Sequence, residues 1–206
     1  AVNLNWGYKN IDGAMALMDN YGRLVYDLET LIAQGLSAAI YTQTTDVEGE
    51  VNGLITYDRK VTKIPEGLLH LMHNRLYEIT PAKAVTLIAD GQNGSKNTRL
   101  VSLNGQELKM TSLPFDCPPR STVVSEATFK VDKDFNHLSL WLNVAGEAKV
   151  WLNGVEVFAQ EAKQTRQYNQ YNISDYSRYL RKGSNLLKIE VKDSKKMRFD
   201  YGLRAY

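Results

Sequence analysis

Apolar residues recur at intervals of three and four between residues 12 and 35, which predicts a long amphipathic helix. The repeating positions are Ala14, Leu17, Met18, Tyr21, Leu24, Val25, Leu28, Leu31 and Ile32. Asp12 suits the N-cap of this helix, and Gly35 suits the position just past its C-terminal end. A second helix is predicted to open at Pro65, whose fixed backbone fits a first helical turn, and to run through Leu76.

The segment between the two helices has a different pattern. Residues 38–42, Ala-Ala-Ile-Tyr-Thr, are short and continuous, as in a strand buried on both faces of a parallel sheet. A polar loop over residues 43–53 follows. One strand cannot close a core, so we expect the apolar surfaces of residues 1–78 to be covered by another copy of the chain or by the remainder of a larger domain.

From about Thr80 the period of the pattern changes to two. The clearest alternation covers residues 138–144, and a run at 148–152 leads into Asn153-Gly154, a strong hairpin signal because both positions accept positive φ. Further strands are predicted near 84–89, 107–111, 122–131, 155–157, 185–192 and 197–205.

The expected fold class is therefore α+β overall. Residues 1–79 form an incomplete α/β segment, and residues 80–206 form an all-β sandwich of about eight short strands, typical of a jelly roll. The boundary is predicted at Ile79-Thr80-Pro81, because proline disfavours helical backbone in the residue before it.

Charge supports this division of the 206 residues. Residues 1–78 carry 6 Lys/Arg against 10 Asp/Glu, whereas residues 79–206 carry 19 against 13. The positive charges of the second part are mostly dispersed, which argues against nucleic-acid binding. No apolar run is long enough to span a membrane. A single cysteine excludes an internal disulfide and a cysteine-based zinc site.

Two stretches resemble known families. The first contains Trp6-Gly7-Tyr8, Tyr41-Thr42-Gln43, Asp46-Val47-Glu48, Asn52-Gly53 and Tyr57-Asp58-Arg59, in that order. It resembles the last part of the catalytic (β/α)8 (TIM) barrel of glycoside hydrolase family 2, the β-galactosidase-like enzymes. The resemblance implies that residues 1–79 correspond to the seventh helix, the eighth strand with its loop, and the eighth helix of such a barrel.

The second resemblance lies in the β-rich part. It rests on residues 150–157, Val-Trp-Leu-Asn-Gly-Val-Glu-Val, on the tyrosine-rich residues 168–180, and on Phe199-Asp200-Tyr201-Gly202-Leu203. These are similar to the galactose-binding-like jelly rolls appended to many glycoside hydrolases.

The first resemblance also implies what this chain lacks. Retaining glycosidases use two carboxyl groups about 5–5.5 Å apart, as acid/base and nucleophile. The family places them after strands four and seven, and neither motif is present here. We therefore expect no catalytic residue in this chain and no glycosidase activity from it alone. The whole enzyme is expected to hydrolyse O-glycosidic bonds of an oligosaccharide through a covalent intermediate, without metal or cofactor.

Five residues are candidates for contact with the sugar. Asp46 and Glu48 follow the predicted strand, where barrel residues face the substrate, although a loop-ordering role for Asp46 is the alternative. Gln43 stands where many family members have a sugar-stacking Trp. Trp6 and Tyr8 are either stacking aromatics or loop-packing residues.

Other features have simpler explanations. His70 and His73 have a spacing that could hold a metal, but with no acidic third ligand nearby we expect helix surface or packing histidines. The tyrosines at 168, 171, 176 and 179 form either a sugar platform or part of the sandwich. Trp141 and Trp151 should lie outside the aliphatic core, where they could mark a docking face.

Two other classes of function stay open from the sequence alone: a non-catalytic carbohydrate-binding module and a purely structural accessory domain. The first six residues, Ala1 to Trp6, lack the pattern of a signal peptide. A periplasmic or secreted location is implied only by the resemblance to exported relatives.

Overall fold

The computed structural model describes residues 11–206 except 93, 95, 163–166, 194 and 196. The candidates Trp6 and Tyr8 therefore lie outside the described residues. The helices are α1 (Ala14–Ala33) and α2 (Glu66–Tyr77), and a 3-10 helix covers Ser174–Tyr179. The strands are β1 (Val85–Ile88), β2 (Asn97–Leu103), β3 (Gln106–Leu113), β4 (Phe115–Cys117), β5 (Ser121–Val131), β6 (Leu138–Asn143), β7 (Glu147–Leu152), β8 (Val155–Gln160), β9 (Asn169–Asn172), β10 (Gly183–Asp193) and β11 (Met197–Ala205).

The fold is a β-rich α+β fold, as predicted. The chain divides into two compact units, Ala1–Ala82 and Lys83–Tyr206. This division lies three residues after the boundary expected from the sequence. None of the helices in the described part of the chain is long and apolar enough to cross a membrane.

Helix α1 ends as its sequence indicates. Gly35 has a φ of 106°, its N–H donates to the Ile32 carbonyl (2.8 Å), and the N–H of Leu36 donates to the Leu31 carbonyl (2.9 Å). These two bonds form a Schellman motif. At the other end the prediction is wrong: Gly13, not Asp12, is the N-cap, and no side chain of the described residues caps the helix.

The first unit has a small core. Tyr21 and Val25 of α1 and Ile64 before α2 are its buried apolar residues. Residues 38–42 were predicted to be a strand buried on both faces, but they belong to no strand, and Ile40 is 91% exposed. A strand is stabilised by pairing with neighbours, and the described residues of this unit contain none for it to join.

The second unit consists of two antiparallel sheets around one core. One sheet has the order β1-β11-β6-β9, with β4 also paired to β11, and the other has the order β3-β2-β5-β10-β7-β8. Inward residues of both sheets belong to one buried apolar cluster. Across its centre the fully buried Tyr201 of β11 shares a hydrogen bond with Ser125 of β5 (2.9 Å).

The predicted hairpin at Asn153-Gly154 is present. These residues have φ values of 50° and 88° and connect the paired residues Leu152 and Val155. The same device recurs at Asn104-Gly105, which joins β2 to β3 with φ values of 49° and 81°. Positive φ at both central residues matches the twist of a two-residue hairpin.

A buried polar network lies on the outer face of the sheet that contains β11. Asp200 is fully buried, and its Oδ2 accepts hydrogen bonds from the Gly91 N–H (2.6 Å) and the Tyr168 hydroxyl. Asp90 accepts a hydrogen bond from Arg204 (2.9 Å) and lies against Gly202. The network fixes the loop that follows β1 onto β11.

Substitution of Gly202 should destabilise this unit. A Cβ at this position would lie 2.8 Å from the Asp90 carboxylate, 2.9 Å from the Asp90 Cβ and 3.0 Å from the Ile88 carbonyl oxygen. We expect Gly202→Ala to lower the free energy of unfolding by about 1–3 kcal/mol, because overpacking displaces neighbouring atoms. Urea unfolding followed by tryptophan fluorescence reports on the unit through Trp141 and Trp151. Gly67→Ala, with nothing within 4 Å of the added carbon, is the control. Equal midpoints for Gly202→Ala and the parent would contradict the steric argument.

The stability of the second unit should depend on the ionisation of Asp200. Burial raises the pKa of this carboxyl above its ordinary value of 3.8; the bonds from Tyr168 and Gly91 oppose the shift, and the charge of Asp90 adds to it. The folded unit therefore binds this proton more tightly than the unfolded chain does. The contribution of protonated Asp200 to the free energy of unfolding is therefore fully present below pH 3.8, and it decreases as the pH rises through the raised pKa.

Asp200→Asn cannot ionise, so it should remove this part of the pH dependence of unfolding. The measurement is the urea midpoint of parent and variant from about pH 3.5 upward, compared as a difference at each pH. Asp132→Asn, at an exposed position, should keep the slope of the parent. Parallel curves for Asp200→Asn and the parent would show that Asp200 does not titrate as inferred.

Candidate functional site

The candidate site is the loop between α1 and α2, residues 41–63. The loop has no regular strand, and isolated bridges order it: Thr45 with Ile55, Val47 with Glu50, and Ile55 with Thr62. Gly53 passes so close to the preceding turn that a Cβ would lie 2.3 Å from the Asp46 nitrogen. Only glycine fits there, which explains why Gly53 follows Asn52 in this loop.

Asp46 is buried and holds the loop together. Its Oδ1 accepts hydrogen bonds from the Gly53 N–H (2.9 Å) and from the Lys63 ammonium (2.6 Å). Lys63 also donates to the Val51 carbonyl (2.9 Å). The side chain of Asp46 is 8% exposed and that of Lys63 is 19% exposed. This geometry favours the loop-ordering alternative for Asp46, whereas its contact with a sugar stays a prediction.

A second group of polar side chains starts where the predicted strand ends. The Tyr41 hydroxyl donates to the Asn52 carbonyl (2.9 Å), Gln43 Nε2 donates to Asn52 Oδ1 (3.4 Å), and Asn52 Nδ2 donates to Glu50 (3.0 Å). Burial raises the pKa of the Tyr41 hydroxyl, and the negative charge of Asp46 adds to this shift. Asn52 thus connects the candidate Gln43 to the acidic part of the loop.

Glu48 lies apart from these groups. It occupies the tip of the turn closed by reciprocal hydrogen bonds between Val47 and Glu50, has a φ of 50° and is exposed. The structure therefore brings Gln43 together with Asn52 and Glu50, and Asp46 together with Lys63. Sequence reasoning missed the role of Lys63, which lies 17 positions from Asp46 without any local pattern to connect them.

An apolar groove of about 680 Å³ lies beside this loop within the first unit. Its lining includes Tyr21 and Val25 of α1, Ile40 and Tyr41, and His73 of α2. The Tyr21 hydroxyl and His73 Nε2 are hydrogen-bonded at 2.8 Å. His73 therefore takes the packing role expected for it, while His70 is exposed. In the described part of the chain, no group of three or more His, Cys, Asp or Glu residues could hold a metal.

The tyrosines of the second unit are engaged internally. Tyr171, Tyr176 and Tyr179 pack against the core of the sandwich, and the Tyr171 hydroxyl donates to Gln160 (2.9 Å). The Tyr168 hydroxyl donates to Asp200. The two tryptophans lie outside the core and contact cations: Arg204 is 4.2 Å from the Trp141 ring centre, and Lys188 is 5.7 Å from that of Trp151. This arrangement favours a structural role for the tyrosines.

Asp46→Asn should loosen the loop without unfolding the unit. The substitution removes the charge that faces Lys63, so the opening free energy of the segment 44–56 should decrease by about 1–3 kcal/mol. Hydrogen–deuterium exchange should therefore be roughly 5- to 150-fold faster there, the Gly53 amide included. Asp19→Asn, which removes an exposed pair with Arg23 on α1, should leave exchange in the loop unchanged. An unchanged exchange rate in Asp46→Asn would refute the ordering role.

Comparisons with known proteins assign no family. No protein-family model and no curated protein matches the chain. Among solved structures, it is similar to a β-D-glucuronidase from Dictyoglomus thermophilum, with 10% identity and a TM-score of 0.42 over 59% of this chain and 28% of that one. A Ruminococcus gnavus β-glucuronidase has 10% identity and a TM-score of 0.42, over 62% of this chain and 30% of that one. A β-D-mannosidase from Dictyoglomus thermophilum has 11% identity and a TM-score of 0.39, over 54% of this chain and 16% of that one. The match spans less than a third of each of these chains. Every TM-score is below 0.5, so neither family nor activity is drawn from these likenesses.

Proposed function

We propose that this chain is the C-terminal part of a retaining glycoside hydrolase of the family 2 type. In this proposal the first unit contributes the end of a (β/α)8 barrel, and the second unit is an accessory galactose-binding-like jelly roll. The substrate of the whole enzyme is an oligosaccharide. The basis for the family is the order of the motifs from Tyr41 to Arg59.

The observation that carries the proposal is the exposure of residues 38–42. The composition of this apolar segment is that of a strand, yet its Ile40 is 91% exposed. The segment lies beside an apolar groove of about 680 Å³. A barrel strand would present such a surface if its neighbours were missing, because both of its edges and faces are normally covered. A complete folded domain normally buries an apolar surface of this kind.

The polar groups beside this segment suit the wall of a sugar pocket. In a barrel, residues that follow a strand lie at the mouth of the active site. Gln43 and Asn52 offer amide groups there, and Glu50 offers a carboxylate, all suited to hydrogen bonds with sugar hydroxyls. Asp46 holds the loop in place through its hydrogen bonds with Lys63 and with the Gly53 amide. Trp6 and Tyr8 are proposed as stacking residues on the resemblance alone.

The carboxylates of the loop do not suit the two catalytic roles. Hydrolysis with retention requires an acid/base and a nucleophile that approach the sugar from different sides. Asp46 and Glu48 come from one loop, and Asp46 is already committed to Lys63 and the Gly53 amide. The catalytic pair is therefore assigned to upstream strands of the whole enzyme.

The 206-residue chain should show no glycosidase activity above background. Removal of a catalytic pair that acts as a unit removes most of the rate enhancement. The assay uses a panel of aryl α- and β-glycosides at high protein concentration, with the chain extended upstream by the rest of the barrel as the positive control. Turnover by the 206-residue chain that Asp46→Asn or Glu48→Gln abolishes, while Asp19→Asn does not, would overturn the proposal.

A second candidate function concerns the β-sandwich alone. Among the residues that the structure describes, its buried apolar cluster is continuous and is made up of residues of the second unit itself. Such a unit can serve as a non-catalytic carbohydrate-binding or structural accessory module. A glycan array probed with the whole chain distinguishes binding from a structural role.

A further inference from the structure

We propose that Asn104 is a site of spontaneous covalent modification, at which the side-chain amide is lost and an aspartyl or isoaspartyl residue forms. The sequence contains four Asn-Gly pairs, at 52–53, 93–94, 104–105 and 153–154. Glycine has no Cβ, so its backbone nitrogen can approach the side chain of the preceding asparagine with little steric hindrance. Asn93 lies outside the described residues, and the other three pairs differ in how the structure holds them.

The reaction at Asn104 requires only water and hydroxide. The backbone nitrogen of Gly105 gives its proton to hydroxide and attacks Cγ of Asn104, so that a bond forms between this nitrogen and Cγ. The bond between Cγ and Nδ2 breaks, and Nδ2 leaves as ammonia with a proton taken from water. Water then opens the five-membered succinimide ring at either carbonyl. The products are aspartate, with the original main chain, and isoaspartate, whose main chain runs through the former side chain.

The turn at Asn104-Gly105 leaves both reacting groups accessible. Asn104 and Gly105 are exposed. Among the described residues, the Asn104 side chain makes one hydrogen bond, in which Oδ1 accepts from the Thr122 N–H (2.8 Å), while Nδ2 donates to none of them. The Gly105 nitrogen, which must attack, also donates to none of these residues. The leaving group and the nucleophile are therefore both free to react.

The similar turn at Asn153-Gly154 holds its asparagine more tightly. Nδ2 of Asn153 donates to the Tyr179 carbonyl and to Asn185 Oδ1, both at 2.8 Å. Oδ1 of Asn153 accepts from the Leu186 N–H (2.9 Å), and the residue is half-buried. Loss of this amide as ammonia would break two donated hydrogen bonds, so the reaction there requires the turn to open first.

The pair Asn52-Gly53 protects the nucleophile itself. The buried Gly53 donates its N–H to Asp46 Oδ1 (2.9 Å), and Asn52 Nδ2 donates to Glu50 (3.0 Å). A nitrogen whose proton is bound by a carboxylate must first lose this bond before it can attack. Of the three described pairs, Asn104-Gly105 is therefore the one that reacts without a preceding opening of the loop.

The modification should loosen the edge of the six-stranded sheet, where β3 pairs with β2. Asn104 is bonded twice to Thr122 of β5: its N–H donates to the Thr122 carbonyl (2.8 Å), and its Oδ1 accepts from the Thr122 N–H (2.8 Å). Isoaspartate adds a methylene group to the main chain of a two-residue turn, which then no longer fits the pairing of Leu103 with Gln106. The new carboxylate also adds one negative charge to this turn.

Peptide mapping of the whole 206-residue chain tests the proposal, and it is independent of the glycosidase assay. Trypsin places the four Asn-Gly pairs in separate peptides, residues 24–59, 84–96, 100–109 and 150–163. The native chain is incubated in mildly alkaline buffer at body temperature and sampled over several weeks. Replacement of the amide NH2 by OH raises the mass of each affected peptide, so mass spectrometry quantifies every site in one sample. Isoaspartate is identified by its labelling with an isoaspartyl methyltransferase.

We expect peptide 100–109 to be modified at least tenfold faster than peptides 24–59 and 150–163, because opening is required only in the latter two. The control is the same chain unfolded in urea, where the common Asn-Gly chemistry should bring the rates of the three peptides close together. Folding should therefore slow Asn52 and Asn153 at least tenfold more than Asn104. Equal rates at the three sites in the native chain, or an intact Asn104 after the incubation, would overturn the proposal.

Discussion

The hydrogen bond between Tyr201 and Ser125 is the interaction on which the second unit is built. It connects the two sheets within a largely apolar core, between side chains that are nearly or fully buried. Burial raises the pKa of Tyr201 to about 12, so the hydroxyl stays protonated over the physiological range. Ser125 also donates to the Leu100 carbonyl (3.0 Å) of β2. The Ser125 hydroxyl thus connects the two sheets and also holds β2 at Leu100, where the pairing of β2 with β5 begins.

The two units illustrate different ways of placing polar groups in a protein. In the sandwich, Asp200 and Asp90 are buried against a sheet and bonded to neighbours far along the chain, so they stabilise a fold that already has a large core. In the first unit, Asp46 and Asn52 order a loop beside a small core. The local order of this loop depends more on these polar groups than the sandwich does on its own, because few buried apolar contacts stabilise the loop.

The sequence predicted those parts of the fold that depend on local pattern. The alternation of residues 138–144, the turn at Asn153-Gly154 and the end of α1 at Gly35 all depend on residues close together along the chain. Strand β2 was missed because Asn97 and Arg99 occupy inward positions and break the alternation. The prediction for residues 38–42 failed for the opposite reason: the composition suits a strand, but a strand also requires partners. For the candidate site, the loop was identified from its motifs, whereas the pairing of Asp46 with Lys63 depends on a tertiary contact that no local pattern contains.

The long pairing of β5 with β10 has a consequence for how the sandwich folds. The register joins Val131 to Gly183 and Ser121 to Asp193 without interruption, and β7 adds to the other edge of β10. No part of this ladder can form until the chain beyond residue 183 is present, because every pair joins residues more than fifty positions apart. Such long-range closure is slow. During synthesis the apolar face of β5 therefore stays exposed to solvent while about half of the unit is still being made. Exposed apolar surface and unpaired strand edges favour aggregation during that interval.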